Sequence, residues 1–348
     1  MTWNVQGETT WKPETIEQKI EFIRGLDFQP DVLMLQAVHC AETSETPWQE
    51  HLKRWVTRLS DIGLDDYVHT LDWAHELHQS NVQPHQSISA FHNRGNIIAS
   101  SYPIERISLT SHDEEDKQEL WGENKEINNF QTVFPEKILV GKLNLMNNEL
   151  PLFIWNVGIV AGSIAEEEKI NMLEMIYKQI YLQRKKAGYE VILGGDFNAP
   201  KIEETKDEGK PFIPQITPHG DNRSLYTDLP FYGQNPEYGY QYSFKERWKK
   251  AEQAIFDPAF EPNEKWGMKD TYWSPRESQI PKPSFKDPTC TIKNADPSAK
   301  RFDHILVSDN FDVISCEILN GEDGSEDVFE DNLSDHAPVV AELEVNYE

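Results

Sequence analysis

The stretch Ile192-Leu193-Gly194-Gly195-Asp196-Phe197-Asn198-Ala199-Pro200 decides how the rest of the chain is read. Val191 to Leu193 is a short apolar run, and runs of this kind suit strands covered on both faces. It leads through Gly194 and Gly195 to Asp196 and Asn198, so a carboxylate and an amide stand where the strand ends. Open α/β sheets carry their sites at such strand ends. The segment before it predicts a helix. Ser163 and Glu166 have the spacing of a capping box, Ile170, Leu173, Ile176 and Ile180 recur at helical spacing, Lys185 and Lys186 fall in the last turn, and Gly188 terminates it.

Working outward, the same grammar recurs. Thr2 to Gly7 reads as a short strand, Lys12-Pro13-Glu14 opens a helix carrying Ile16, Ile20 and Ile23, and Asp31 to Gln36 is a strand-length apolar run. The opening is therefore βαβ-like. A helix is predicted over Trp48–Ile62 and a strand over Asn96–Ser100. Lys137–Leu145 and Leu150–Val157 read as two strands around a turn at Asn147-Asn148. Beyond residue 200 the clear signals are a helix near Phe244–Ala254 and strands at His304–Ser308 and Ala337–Val345. The expectation is an α/β chain forming one domain over residues 1–348, with long loop insertions at about 105–136 and 200–300.

The chain has 348 residues, 38% of them apolar, with ten Trp, twelve Tyr and sixteen Phe. Those aromatics argue against a disordered chain. No apolar run approaches the ~20 residues that span a bilayer as a helix. Cys40, Cys290 and Cys316 are too scattered for a disulfide framework or a zinc site. Nothing at the start reads as a signal peptide, which points to the cytoplasm, a trimmed leader being the alternative. A net charge of −27 argues against general duplex binding, which needs Lys and Arg to displace counterions. It leaves room for phosphate approached through divalent cations.

Four polar clusters stand at predicted strand ends: Asn4; Asp196 with Asn198; Asp303; and Asp335 with His336. Carboxylates and amides are hard oxygen ligands suited to Mg²⁺, Mn²⁺ or Ca²⁺. A neighbouring His could act as general base or hold a transferring phosphate, and Asp303 is the candidate to orient it. Each residue alone also fits a plain turn or cap.

The segments TWNVQG (2–7), DVLMLQAV (31–38), NRGNIIASSYPI (93–104), LFIWNVG (152–158), ILGGDFNAP (192–200), RFDHILVS (301–308) and LSDHAPVVAEL (333–343) come in a telling order. In that order the chain resembles the endonuclease/exonuclease/phosphatase superfamily. Its members include pancreatic-type deoxyribonucleases, AP endonucleases, deadenylases, inositol polyphosphate 5-phosphatases and neutral sphingomyelinases. The resemblance implies a four-layer α-β-β-α sandwich of two mixed sheets. It also implies metal-dependent hydrolysis of a phosphate ester by direct attack of water, with Mg²⁺ or Mn²⁺, or Ca²⁺, as cofactor. By the same resemblance Asn4 lies near the metal, Asp196 positions the water, and Asn198 holds the pentacovalent transition state. Asp303 orients His336, Asp335 lies beside the metal, and His336 is the general base or phosphate-binding group. Arg94 and Asn96 match positions that contact phosphate in some members.

Two positions depart from the family. Its LQE strand carries the principal metal-binding Glu, and this chain has Leu35-Gln36-Ala37. The later strand usually ends in a His, and this chain has Asn156-Val157-Gly158. Because the flanking residues remain family-like, Ala37 and Gly158 are read as deliberate inactivating substitutions. The alternatives are a natural non-catalytic relative, or a site drawing ligands from His39 or Glu42. Activity in this chain should be very low.

The substrate expected first is DNA or RNA. A lipid or small phosphate ester comes second, and a non-catalytic binding member third. Ala199-Pro200 after Asn198, where 5-phosphatases carry a basic residue, disfavours that branch. The aromatics of the 230–290 region (Phe231, Tyr232, Tyr238, Tyr240, Tyr242, Phe244, Trp248, Trp266, Trp273) could stack on bases, and more simply pack loops onto the core. Lys245, Arg247, Lys249 and Lys250 read as one solvated helix face or a phosphate contact.

Overall fold

The computed structural model describes residues 1–5, 13–39, 48–70, 94–107, 135–145, 151–161, 166–199, 244–257, 260–274, 301–320 and 333–345. In chain order the elements are β1 (Thr2–Asn4), α1 (Pro13–Gly25), β2 (Val32–His39), α2 (Trp48–Ser60), β3 (Asp66–His69), β4 (Arg94–Ser100) and β5 (Ile104–Ile107). There follow β6 (Ile138–Leu143), β7 (Leu152–Gly158), α3 (Glu166–Leu182), β8 (Glu190–Asp196), α4 (Phe244–Phe256) and α5 (Glu261–Trp266). The last four are β9 (Met268–Asp270), β10 (Asp303–Ser308), β11 (Phe311–Ile318) and β12 (Val339–Val345).

The strands form two six-stranded sheets, ordered β11-β12-β1-β2-β4-β3 and β5-β6-β7-β8-β10-β9. Both are mixed: β1 runs parallel to β2, and β7 parallel to β8, while the other pairs are antiparallel. Side-chain alternation explains the layers. In β8, Ile192 joins Met34, Ile98, Ile154 and Ile305 between the sheets. Val191 and Leu193 point the other way, into a core with Ile170, Leu173, Trp248 and Ile255 of α3 and α4. On the first sheet, Trp3, Leu33 and Leu35 pack against Ile16, Ile20 and Trp55 of α1 and α2. Helices therefore cover both outer faces, the four-layer sandwich expected from the sequence.

Register brings the polar strand ends together. Asn4 pairs with Gln36, Gly158 with Asp196, and Asp303 with Asp196. β12 begins beside β1, Thr2 pairing with Val339, so Asp335 and His336 arrive at the same edge. Two glycines permit this. A Cβ on Gly195, whose φ is +147°, would lie 1.8 Å from the Val157 carbonyl oxygen. A Cβ on Gly194 would lie 2.3 Å from Met34 Cε of the facing sheet, so β8 packs closely against β2 here.

Some details depart from the sequence reading. The end of α3 widens into a π-turn over Gln183–Ala187 before Gly188, at φ +72°, stops it. The stretch 200–300 is not uniformly loop, because it supplies α4, α5 and β9. β5 occupies the start of the expected 105–136 insertion. Asn147-Asn148, Ser163, the 108–134 stretch and most of the 230–290 aromatics lie outside the described residues. No described helix is long and apolar enough to cross a membrane.

Candidate active site

The site forms at the common edge of the two sheets. From the second, β10 opens with Asp303, whose Oδ2 lies 2.7 Å from His336 Nδ1. Asp303 is fully buried and His336 nearly so. With an ionised Asp303, Nδ1 carries the proton and Nε2 is left facing the site. There it lies 3.5 Å from Asn4 Nδ2 and 3.8 Å from Asp335 Oδ1. Asn4 Nδ2 donates to Asp196 Oδ2 at 2.8 Å, tying the first sheet to the second.

The backbone around His336 is fixed by neighbours that sequence reading missed. Ser334 Oγ donates to the Asn4 carbonyl at 2.7 Å and accepts from the His336 N–H at 3.1 Å. Trp3 Nε1 donates to the His336 carbonyl at 2.9 Å. A Ser two residues before a His is the one sequence signal that could have suggested this turn.

Asn198 follows Asp196 in the left-handed region, at φ +49°. Its backbone N–H donates to Asp196 Oδ1 at 2.8 Å. Its side chain donates to the Ile159 carbonyl at 2.9 Å and to Asp196 Oδ2 at 3.2 Å. Left-handed residues other than Gly are uncommon, and Asn tolerates the conformation best.

Ala37 and Gly158 sit on the same edge. The β2–β4 register shifts between Leu35 and Val38, and Ala37 in that bulge has φ +53°. Such bulges re-aim side chains near sites. Gly158 is buried, yet a Cβ there would meet Asn96 Oδ1 at 3.7 Å and Gln36 Cβ at 3.8 Å, ordinary contact distances.

Behind these two positions lies a buried amide network joining the sheets. Gln36 Nε2 donates to Asn156 Oδ1 at 2.8 Å, and Asn156 Nδ2 donates to the Leu35 and Ile97 carbonyls. Asn96 Nδ2 donates to the Lys137 and Asn156 carbonyls. Among the described residues, Gln36 Oε1 is buried without a hydrogen-bond partner. Asn96 thus lies beside position 158, with its amide N–H groups spent on backbone. The side chains of Arg94 and His39, and all of Glu42, lie outside the described residues.

One member of the basic run on α4 is paired within the fold. Arg247 holds Glu174 of α3 through two hydrogen bonds of 2.7 and 2.6 Å. Trp248 and Trp266 are core residues, while Trp273 is exposed. Lys19 of α1 was also missed. It is fully buried, with no hydrogen-bond partner for its ammonium among the described residues. Burial pulls it down to about 8, opposed by the charge of Asp335.

Asp196, Asp303 and His336 offer ligand atoms that all lie within 4.8 Å of one another. With Asp335 and Asn4 at the rim, the donor set is mostly hard oxygen and fits a divalent cation that keeps several waters. A sequence profile described as the Endonuclease/Exonuclease/phosphatase family matches residues 1–336. The chain belongs to that family. As an endonuclease/exonuclease/phosphatase protein it has solved relatives of the same fold at low identity. One is an endonuclease/exonuclease/phosphatase from Beutenbergia cavernae, 13% identical, covering 99% of this chain and 70% of that one at a TM-score of 0.52. Another is a family protein from Leptotrichia buccalis, 14% identical, covering 99% and 98% at 0.50. Truncated TDP2 from Caenorhabditis elegans aligns at 13% identity over 97% and 94%, with a TM-score of 0.47. No curated protein matches the chain.

Proposed function

We propose that this chain is a divalent-metal-dependent phosphodiesterase, a nuclease acting on DNA or RNA in the cytoplasm, impaired at positions 37 and 158. The observation that carries the reading is the convergence of Asp196, Asp303 and His336, with Asp303 Oδ2 2.7 Å from His336 Nδ1. In this reading Asp303 fixes the imidazole, so that Nε2 takes a proton or, once protonated, donates to a phosphate oxygen. Asp196 accepts a hydrogen bond from the attacking water, and the Asn198 amide, held by Ile159 and Asp196 in the free chain, turns from Asp196 to donate to the phosphate as charge builds up. Asn4, Asp196 and Asp335 would hold Mg²⁺ or Mn²⁺, which supplies charge neutralisation at the phosphate.

Ala37 and Gly158 are read as inactivating substitutions, introduced deliberately. Their surroundings support this. The bulge at Ala37 keeps an uncommon backbone conformation for a side chain with no donor. The space at Gly158 faces an amide acceptor, Asn96 Oδ1, that an imidazole N–H could reach. Each loss should reduce transition-state stabilisation by ~3–4 kcal/mol, as for a lost electrostatic donor.

The test compares this chain with the same chain carrying Ala37→Glu and Gly158→His. Both are incubated with Mg²⁺ or Mn²⁺ against single- and double-stranded DNA, RNA, sphingomyelin vesicles and inositol phosphates. Hydrolysis of a nucleic acid by the restored form alone is expected. Hydrolysis only of the lipid or inositol phosphate would move the substrate class. No hydrolysis of anything by either form would overturn the reading in favour of a binding protein.

A further inference from the structure

Two consecutive backbone carbonyls of the site loop are each held by a buried polar side chain. The Asn198 carbonyl accepts from Lys169 Nζ of α3 at 2.6 Å. The Ala199 carbonyl lies 2.9 Å from His304 Nε2 of β10. Each holder is backed by a carboxylate from a third element. Lys169 pairs with Glu252 of α4 at 3.3 Å, both side chains being fully buried, and Glu252 also accepts from Trp248 Nε1 at 2.7 Å. His304 Nδ1 lies 3.1 Å from Asp270 Oδ2 of β9. Arg301 in turn grips Asp270 at 2.7 and 3.2 Å.

The chemistry of these contacts is one-directional. A carbonyl and an ionised carboxylate only accept, so the Lys169 ammonium donates to both of its partners. Although burial pushes Asp270 up, Arg301 and His304 beside it hold it well below the usual carboxylate range. Burying such pairs is costly, and a hydrophobic substitute of similar volume is often as stable. A plain core would not call for two of them on adjacent carbonyls. What the loop does call for is restraint, because Asn198 is left-handed at φ +49° and its side-chain amide is held between the Ile159 carbonyl and Asp196 Oδ2.

We infer that Lys169 and His304, each backed by its own carboxylate, are positioning residues that fix the Asp196–Ala199 loop and thereby the aim of the Asn198 amide. Neither touches the reacting atoms. The effect on turnover rests on the hydrolase reading above; the effect on loop geometry does not.

The test uses the full chain with Lys169→Met, Lys169→Arg, Glu252→Gln and His304→Phe, each read in two ways. The first is NMR of the Asn198 side-chain amide and the Asn198 and Ala199 backbone amides. Lys169→Met and His304→Phe should move these resonances while the His336 ring signals stay in place, and Lys169→Arg should return them. The second adds the same changes to the chain carrying Ala37→Glu and Gly158→His. There kcat should fall about 30- to 100-fold with KM within about twofold, as expected when a transition-state donor loses its aim. Lys169→Arg should recover most of it.

A folded Lys169→Met protein with unmoved Asn198 resonances would overturn the inference, as would a loss of KM rather than kcat. If Lys169→Met does not fold, Glu252→Gln and His304→Phe are read by the same criteria. If the restored chain hydrolyses nothing, the hydrolase reading fails, and the resonances alone decide the positioning role.

Discussion

Two glycines on the same edge carry opposite expectations. Gly195 has φ +147°, and a Cβ there would lie 1.8 Å from a backbone oxygen. Gly195→Ala should therefore destabilise the chain by about 3 kcal/mol or more, through strain that no rotamer relieves. Gly158 has ordinary neighbours at 3.7 Å and beyond, so Gly158→Ala should stay within about 0.5 kcal/mol of the parent. Urea unfolding of the two variants checks both; equal losses would mean that position 158 has no room for a side chain. At this scale the sequence was informative where chemistry is carried by rare residue types at strand ends. Asn4, Asp196, Asn198, Asp303, Asp335 and His336 all reach one edge. Lys169 and Glu252 were illegible, since a charged residue on a helix normally faces water, and only the packing of α3 against α4 buries both.

Elements were legible where burial is two-sided. The apolar runs at β2, β7 and β8 announce strands shielded on both faces. β11 did not, because Phe311 and Val313 are buried while the rest is half exposed. β3 and β9 are too short, at four and three residues, to show a period. Two buried charges test how elements are packed. The short 3₁₀ turn Pro135–Lys137 leading into β6 buries Glu136, whose carboxyl rises from 4.5 to about 7 through burial, with Lys137 opposing and Glu168 adding. Between pH 4.5 and about 7 the folded chain keeps a proton that the unfolded chain has released. This contribution is complete below 4.5 and is lost as pH rises through 7. Glu136→Gln should therefore gain about 2 kcal/mol on the parent at pH 8 and nothing at pH 4. A gain independent of pH would refute the assignment.

Lys19 in α1 works in the opposite pH range. Its folded value is lowered, so below pH 8 the buried ammonium is a full penalty, relieved as pH rises from 8 towards 10.5. Lys19→Met should stabilise the chain by about 1–3 kcal/mol at pH 7, with the advantage shrinking at pH 10. Thermal melts across that range read it directly, and a destabilised Lys19→Met would show that the ammonium has a favourable role at Asp335.

For the whole molecule, the long-range closure was beyond sequence reasoning. β1 sits between β2 and β12, so residue 2 pairs with residue 339, and no local pattern encodes that contact. The resemblance supplied what periodicity could not, namely two mixed sheets back to back. Because the net charge is −27, a phosphate substrate of the proposed reaction would approach against the chain's own field, and a cation at the site edge would be the simplest remedy. Residue 37 therefore decides whether this edge holds a cation tightly. Calorimetric titration of Mn²⁺ into the parent, into Ala37→Glu, and into Ala37→Glu with Asp335→Asn tests it most directly. Binding should be weak in the parent, at least about tenfold tighter in Ala37→Glu, and weak again once Asp335 is changed. Equal affinity in the parent and Ala37→Glu would contradict the claim that this edge is a metal site missing its principal ligand.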